Sequence, residues 1–341
     1  SIISDARIHA MSLIFSILLI IVGFFLLIKG ANFLVEGASV LAHRVGVSDL
    51  MIGLTIVAFG TSMPELLVNI IASLQGNTDI AIGNVVGSNI ANTFLVLGAA
   101  ACIAPLYVKE STVWKEIPLV LLSTVILFVL VNDVLIDGEF VAQISRSEGM
   151  TLIGFFLIFM YYTFGMESVK DGHKGKDMPV PSALFFILLG CIMLPLGGKL
   201  SVDASIDIAL AFGVSEAFVG LSIVALGTSL PELVTACVAT YRGNVDMAMG
   251  NVVGSNIFNI LWILGASAII RPLVFNPILN PDILIALFAS LLLLLFIYNG
   301  PFYKRMFFLW RKRESYVLVR YEGIILLLCY FVYIAYISIR G

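Results

Sequence analysis

Two glutamates stand in apolar surroundings at the ends of matching phrases: Gly-Thr-Ser-Met-Pro-Glu closes on Glu65, and Gly-Thr-Ser-Leu-Pro-Glu closes on Glu232. An isolated charge in the middle of a membrane span costs at least about 2.5 to 3.5 kcal/mol on insertion scales. No Lys or Arg is placed to neutralise both acids, and two facing carboxylates repel unless a bound ion or proton supplies positive charge. Pro64 and Pro231 precede the glutamates. Each lacks the N–H that would bond the carbonyl four residues earlier, which predicts free carbonyls at Gly60 and Gly227. Thr61, Ser62, Thr228 and Ser229 add hydroxyls in the same turn. A second phrase, Gly-Asn-Val-Val-Gly-Ser-Asn, follows each first one and sets Asn84, Ser88 and Asn92, and likewise Asn251, Ser255 and Asn259, four apart on one helix face. These are hard oxygen donors of the kind calcium takes about six to eight of, with no thiolate or imidazole to attract zinc or copper. Sodium accepts the same oxygens. Two negative charges offset one calcium ion, or most of the charge of two or three sodium ions, so one ligand set can hold either load but not both.

The elements that must position these groups come from a duplication. The phrase beginning at Gly60 returns 167 residues later at Gly227, and residues 46–106 share 35 of 61 positions with residues 213–273. Sixty per cent of the chain is hydrophobic and 12% charged, which marks a polytopic membrane protein. Ten apolar runs are long enough to span a bilayer, near 12–42, 48–73, 78–104, 116–131, 150–165, 182–211, 214–240, 245–270, 282–298 and 321–339. Their length and uniform apolarity favour helices over barrel strands. With ten spans, thirteen Lys and Arg residues fall on one side and four on the other. The positive-inside rule then places both termini outside the cytoplasm, in a cell (plasma or inner) membrane. Residues 1–11 read as an external tail or cloning remnant, 12–165 as a first repeat of five spans, 166–181 as a cytoplasmic linker, and 182–341 as a second repeat. Five crossings per repeat is an odd number, so equivalent helices traverse the bilayer in opposite directions. The expected fold is an all-α polytopic membrane protein whose ten transmembrane helices form two inverted five-helix repeats, with broken helices at the midplane.

The repeated phrases resemble those of the cation/calcium exchanger superfamily, specifically its sodium/calcium exchanger branch with two alpha repeats. The resemblance covers nearly the whole chain. It implies that Glu65 and Glu232 are the central carboxylates, with Thr61, Ser62, Thr228, Ser229, Ser88 and Ser255 contributing further oxygens. Ala58 and Ala225 are implied as backbone carbonyl ligands, and Asn92 and Asn259 match the remaining pair of central positions. Some members carry Asp at the position of Asn259, an acid associated with potassium use in the potassium-dependent branch; Asn in both copies here implies potassium-independent exchange.

The expected activity is therefore an antiporter that exports Ca2+ from the cytoplasm against inward Na+ by alternating access, with the long first and sixth spans moving against a fixed core. Calcium/proton exchange and, in a different class, a cation channel are the alternatives. An enzyme is not expected, because no nucleophile lies beside a base and no histidine set could hold a metal. The expected partners are Ca2+, Na+ and the bilayer, with no cofactor, no nucleic acid and no evident obligate protein partner. Plainer roles suit other residues. Asp79 and Asp246 read as helix caps. Glu36 and Asp203 read as interfacial caps or residues of an ion path, and the acids Asp133, Asp137, Glu139 and Glu148 as a solvated loop. Lys304 to Arg313 reads as a topology determinant, the four cysteines as packing residues, and Gly83, Gly87, Gly250 and Gly254 as points of close helix contact.

Overall fold

The computed structural model describes residues 2–110, 112–136, 138, 141–165, 178–212, 225–306 and 316–340. The chain is helical almost throughout. Helix α1 (Ile2–Val45) is followed by α2 (Asp49–Thr61) and α3 (Met63–Gln75), which meet at a 49° bend. Then come α4 (Thr78–Ile103), α5 (Thr112–Leu130), α6 (Arg146–Phe164) and α7 (Val180–Ala211). Beyond them lie α8 (Ala225–Thr228), α9 (Leu230–Tyr241), α10 (Val245–Ile270), α11 (Asn280–Met306) and α12 (Arg320–Arg340). Among the described residues eight helices are long and apolar enough to cross a membrane, and the bent α2–α3 pair makes a ninth. The expected seventh span is described only from Ala225 onwards, as α8 and α9. The linker residues 166–177 and the basic residues 307–313 lie outside the described residues. So do Asp137 and Glu139. The stretch read as a tail is helical from Ile2 on and continuous with α1.

Two helices form the centre. Burial reaches 72% in α4 and 78% in α10, against 22–39% in the other unbroken spans, which carry exposed apolar side chains such as Phe25, Leu157, Phe185 and Phe331 suited to lipid. Small residues let α10 approach α2: a Cβ at Gly250 would stand 2.6 Å from the Leu50 carbonyl oxygen, and one at Gly254 2.8 Å from that of Leu54. By the repeat spacing, the neighbours of Gly83 and Gly87 fall at 217 and 221, outside the described residues.

The outer pair α1 and α7 packs along a seven-residue rhythm of small residues. Gly23 meets Gly197, Gly30 meets Gly190, and Gly37 meets Ala183; a Cβ at Gly190 would lie 2.8 Å from the Gly30 carbonyl oxygen. Rising numbers on one helix face falling numbers on the other, so this pair is antiparallel. Two short ladders give the same relation elsewhere. Strand β1 (Leu106–Tyr107), just before α5, pairs with β4 (Val317–Leu318), between α11 and α12, and Trp114 at the start of α5 packs edge-on against Tyr298 towards the end of α11. Strand β2 (Gln143–Ile144), after α5, pairs with β3 (Leu273–Val274), before α11. The start of α5 thus lies at the end of α11 and the reverse, so these helices also run in opposite directions.

Polar residues at the helix ends do more than cap. Asn244, not Asp246, caps α10 by accepting from Met247 N at 3.2 Å. Asp246 instead pairs with Lys109 at 2.6 Å, and Asp79 accepts from Asn276 at 3.2 Å. Lys109 and Asn276 are 167 apart, as are Asp79 and Asp246, so one clasp occurs twice. Glu148 is no bystander in solvent: with Ser145 it forms a capping box that starts α6.

Candidate cation-binding site

The break between α2 and α3 and the one between α8 and α9 have the same local cause. Proline enters the first turn of α3 and of α9, where its missing N–H costs no helical bond. Ser62 (φ −83°, ψ 10°) and Ser229 (φ −85°, ψ 1°) carry the bend. Each chain turn then presents a Thr, a Ser and a Glu within five residues. Gly76 and Gly243, both at φ +80°, end the helices that follow, a left-handed conformation that glycine adopts without steric cost.

Glu65 and Glu232 are both fully buried, at 0% exposure. They lie close enough for Glu65 to feel the charge of Glu232, and among the described residues neither is paired with Lys or Arg. Ser62 Oγ donates to Glu232 Oε1 at 2.9 Å and stands 3.0 Å from Ser255 Oγ, which is itself 3.4 Å from the same carboxylate oxygen. Thr61 Oγ1 lies 3.0 Å from Asn251 Oδ1, and Asn251 Nδ2 reaches the Glu232 carbonyl at 3.5 Å. On the other side, Ser88 Oγ donates to Glu65 Oε1 at 3.4 Å, and Asn84 Nδ2 reaches the Glu65 carbonyl at the same distance. Thr228 lies beside Glu65. Among the described residues six buried oxygens here have no hydrogen-bond partner: Glu65 Oε2, Glu232 Oε2, Thr228 Oγ1, Ser229 Oγ, Asn92 Oδ1 and Asn259 Oδ1. Orphaned acceptors at this density, with two carboxylates among them, are the donor chemistry that hard cations take.

Some expected ligands are held differently. The Ala58 carbonyl accepts from Ser62 N at 3.0 Å and lies 3.2 Å from Thr61 Oγ1, so it is engaged within its own helix. Ala225 opens α8, and its side chain lies outside the described residues. Asn259 Nδ2 donates to Asn89 Oδ1 at 2.9 Å. Asn92 is buried with both amide atoms unpartnered. Sequence reasoning overlooked Asn89 and Asn256, which bind α4 to α10: Asn89 Nδ2 donates to the Asn256 carbonyl at 3.2 Å, and Asn256 Nδ2 to Thr93 Oγ1 at 3.1 Å. Their signal was available, since both are the Asn of a repeated Gly-Ser-Asn. Asn69 was overlooked as well, and no repeat flags it because its counterpart is Ala236. Glu36 pairs with Arg242 at 3.5 Å and Asp203 with Lys199 at 2.8 Å.

The family model for the sodium/calcium exchanger protein matches residues 15–165 and 182–339. Sodium/calcium exchanger MaX1 of Methanosarcina acetivorans is 32% identical over 331 residues, covering 84% of this chain and 88% of that protein. Inner membrane protein YrbG of Escherichia coli is 36% identical over 247 residues, 68% of this chain and 73% of that protein. Among solved structures, the sodium-calcium exchanger NCX_Mj soaked with Na+ and Sr2+ matches at a TM-score of 0.78 and 32% identity, over 95% of this chain and 98% of that one. The family match on both sides of the linker and the shared fold lead to one conclusion: the chain belongs to the sodium/calcium exchanger family, whose members are membrane antiporters and not enzymes.

Proposed function

We propose that this protein exports Ca2+ from the cytoplasm in exchange for inward Na+ by alternating access, without potassium. The observation that carries this reading is the pair of fully buried carboxylates, one from each repeat, with no Lys or Arg partner among the described residues and ringed by hydroxyl and amide oxygens. Only a bound cation or proton offsets two such charges in a low-dielectric interior. The proposed ligand set is Glu65, Glu232, Thr61, Ser62, Thr228, Ser229, Ser88, Ser255, Asn92 and Asn259, with the carbonyls of Ala58 and Ala225. Potassium independence rests on Asn, not an acid, at position 259.

The proposed architecture is ten helices in two inverted repeats, 12–165 and 182–341, joined by a cytoplasmic linker at 166–181, with both termini outside the cytoplasm. The antiparallel relations of α1 to α7 and of α5 to α11 support it, because these are equivalent helices of the two repeats. In the proposed cycle α1 and α7 move together against the core. Their interlocked glycines would keep the pair intact, and small residues such as Gly60 against Cys191 line part of its boundary with the site helices. Exchange of about three sodium ions for one calcium ion would move one net charge per cycle, worth about 2.3 kcal/mol per 100 mV of membrane potential.

Vesicles containing the protein and loaded with calcium are expected to release it when sodium is added outside, and Glu65→Gln and Glu232→Gln each to abolish release. Unaltered exchange in both variants would falsify the site. Release driven by a pH jump in sodium-free buffer would replace sodium with protons as the counter-ion, and single-channel currents would replace the carrier with a pore.

A further inference from the structure

The two repeats place an Asn at the same point beside each glutamate, yet the two amides are used differently. Asn251 bridges the site: its Nδ2 reaches the Glu232 carbonyl and its Oδ1 lies 3.0 Å from Thr61 Oγ1. Asn84 makes the matching contact to the Glu65 carbonyl but spends its second hydrogen on Asn69 Oδ1, at 2.6 Å. Thr228, the counterpart of Thr61, lies beside Glu65 and has no hydrogen-bond partner among the described residues. Asn69 is itself fixed from behind, donating to the Ala81 carbonyl at 2.9 Å and lying 3.5 Å from Ser267 Oγ. Its counterpart in the second repeat is Ala236, which has no side chain to compete for Asn251.

We propose that Asn69 is a positioning residue that makes the two halves of the cation site unequal: it holds Asn84 away from Thr228, so the Glu65 half stays loosely bonded and is the half that exchanges ions first. A polar stripe supports a route to that half. Glu65, Asn69 and Ser73 recur every four residues along one face of α3, all at 0% exposure, and Ser73 Oγ is unpartnered. The stripe leads to Gly76, against which the Arg271 guanidinium packs. In α9 the same face reads Glu232, Ala236, Thr240, so the stripe is interrupted at its second step.

This inference rests on the exchange reading and deepens it. The experiment measures calcium uptake against sodium in right-side-out and everted vesicles, giving an apparent KM and kcat at each membrane face. Asn69→Ala is expected to release Asn84 to Thr228 and shift the KM ratio between faces by roughly three- to tenfold, the effect of about one net hydrogen bond, through the face at the Gly76 end, with kcat changed less. Ala236→Asn, which adds the competing amide to the other half, is expected to move KM at the opposite face and serves where Asn69→Ala does not fold. Asn69→Ser, which keeps an acceptor for Asn84, is expected to restore much of the original ratio. Equal losses at both faces, or an unchanged ratio in a folded variant, would overturn the inference while leaving the exchange reading intact. Absence of sodium-driven uptake in the unaltered protein would remove the exchange reading itself.

Discussion

Glu65 and Glu232 close the same six-residue motif, apart from Met63 and Leu230, yet the fold holds them differently. Glu232 Oε1 receives Ser62 Oγ at 2.9 Å and lies 3.4 Å from Ser255 Oγ, a charge-assisted arrangement drawing on both repeats. Glu65 Oε1 receives Ser88 at the longer distance of 3.4 Å and has Thr228 beside it, and Ser229, the counterpart of Ser62, has no partner among the described residues. A duplicated motif therefore supplies matched ligands but not a matched site. The inequality arises where the repeats have diverged, as at Asn69 against Ala236, and one half is left preorganised and the other loose.

The largest effect that tests this inequality is on the ion-free protein. Replacing either glutamate with glutamine removes one of two unpaired buried charges, so both variants are expected to gain stability while losing transport. In ion-free detergent at alkaline pH, Glu65→Gln should raise the melting temperature more than Glu232→Gln, with a gain of about 1 to 3 kcal/mol. Glu65 gives up one long hydrogen bond, whereas Glu232 gives up a short one. Equal gains would mean the two carboxylates are held alike, and a loss in both would mean that their charges are already compensated. Calcium should no longer raise the melting temperature of either variant, since a ligand stabilises only the state that binds it.

A smaller effect separates the two serines. Ser62→Ala removes a donor from a buried carboxylate and is expected to cost the ion-free protein about 1 to 2 kcal/mol. Ser229→Ala removes a hydroxyl with no partner among the described residues and should leave ion-free stability within about 0.5 kcal/mol of the original. Both should weaken calcium binding by calorimetry, because each would lose one oxygen of the proposed cage. If the two variants melt alike without ions, the asymmetry around Glu232 is not an energetic one.

The readable and unreadable parts of the sequence divide along the same line. The duplication, the helical class, and the broken or polar-faced helices that carry Thr61, Ser62, Glu65 and Ser88, and likewise Glu232 and Ser255, follow from local rules: apolar length, proline placement and fourfold spacing. These rules act within one segment, so one segment reveals them. The bond from Asn259 to Asn89, the clasp of Lys109 on Asp246, and the contact of Asn69 with Ser267 join residues far apart in sequence. Nothing local sets their partners. Asp246 read alone looks like a cap, and only the loop after α4 arriving beside it makes it an ion pair. Asn259 read alone looks like a free ligand, because the neighbour that takes up its amide lies in the other repeat.

The same contrast extends to the two ends of the α1–α7 pair, and it carries the smallest prediction. At one end α1 is tied to the core: Arg242, at the close of α9, pairs with Glu36 and bonds Asn32, while Asn244 Nδ2 donates to Ser39 Oγ at 2.9 Å. The positions 167 residues on from Asn32 and Glu36 are Lys199 and Asp203, and these bond each other within α7 at 2.8 Å. Their expected counterpart in the core, Gln75, is bonded by its neighbour Asn77 instead. Among the described residues one end of the α1–α7 pair is thus latched and the other is not, the asymmetry expected of one state in the proposed alternating-access cycle. Arg242→Gln should loosen the latched end and shift the conformational balance by a few tenths to about 1 kcal/mol, the range of partly exposed ion pairs. Thiol labelling of a cysteine placed at position 39 would then speed up by no more than about fivefold. Lys199→Gln should leave that rate unchanged, because its pair spans one turn of a single helix and ties α7 to nothing else. Faster labelling in both variants would mean that the latch at Arg242 does not distinguish the two ends.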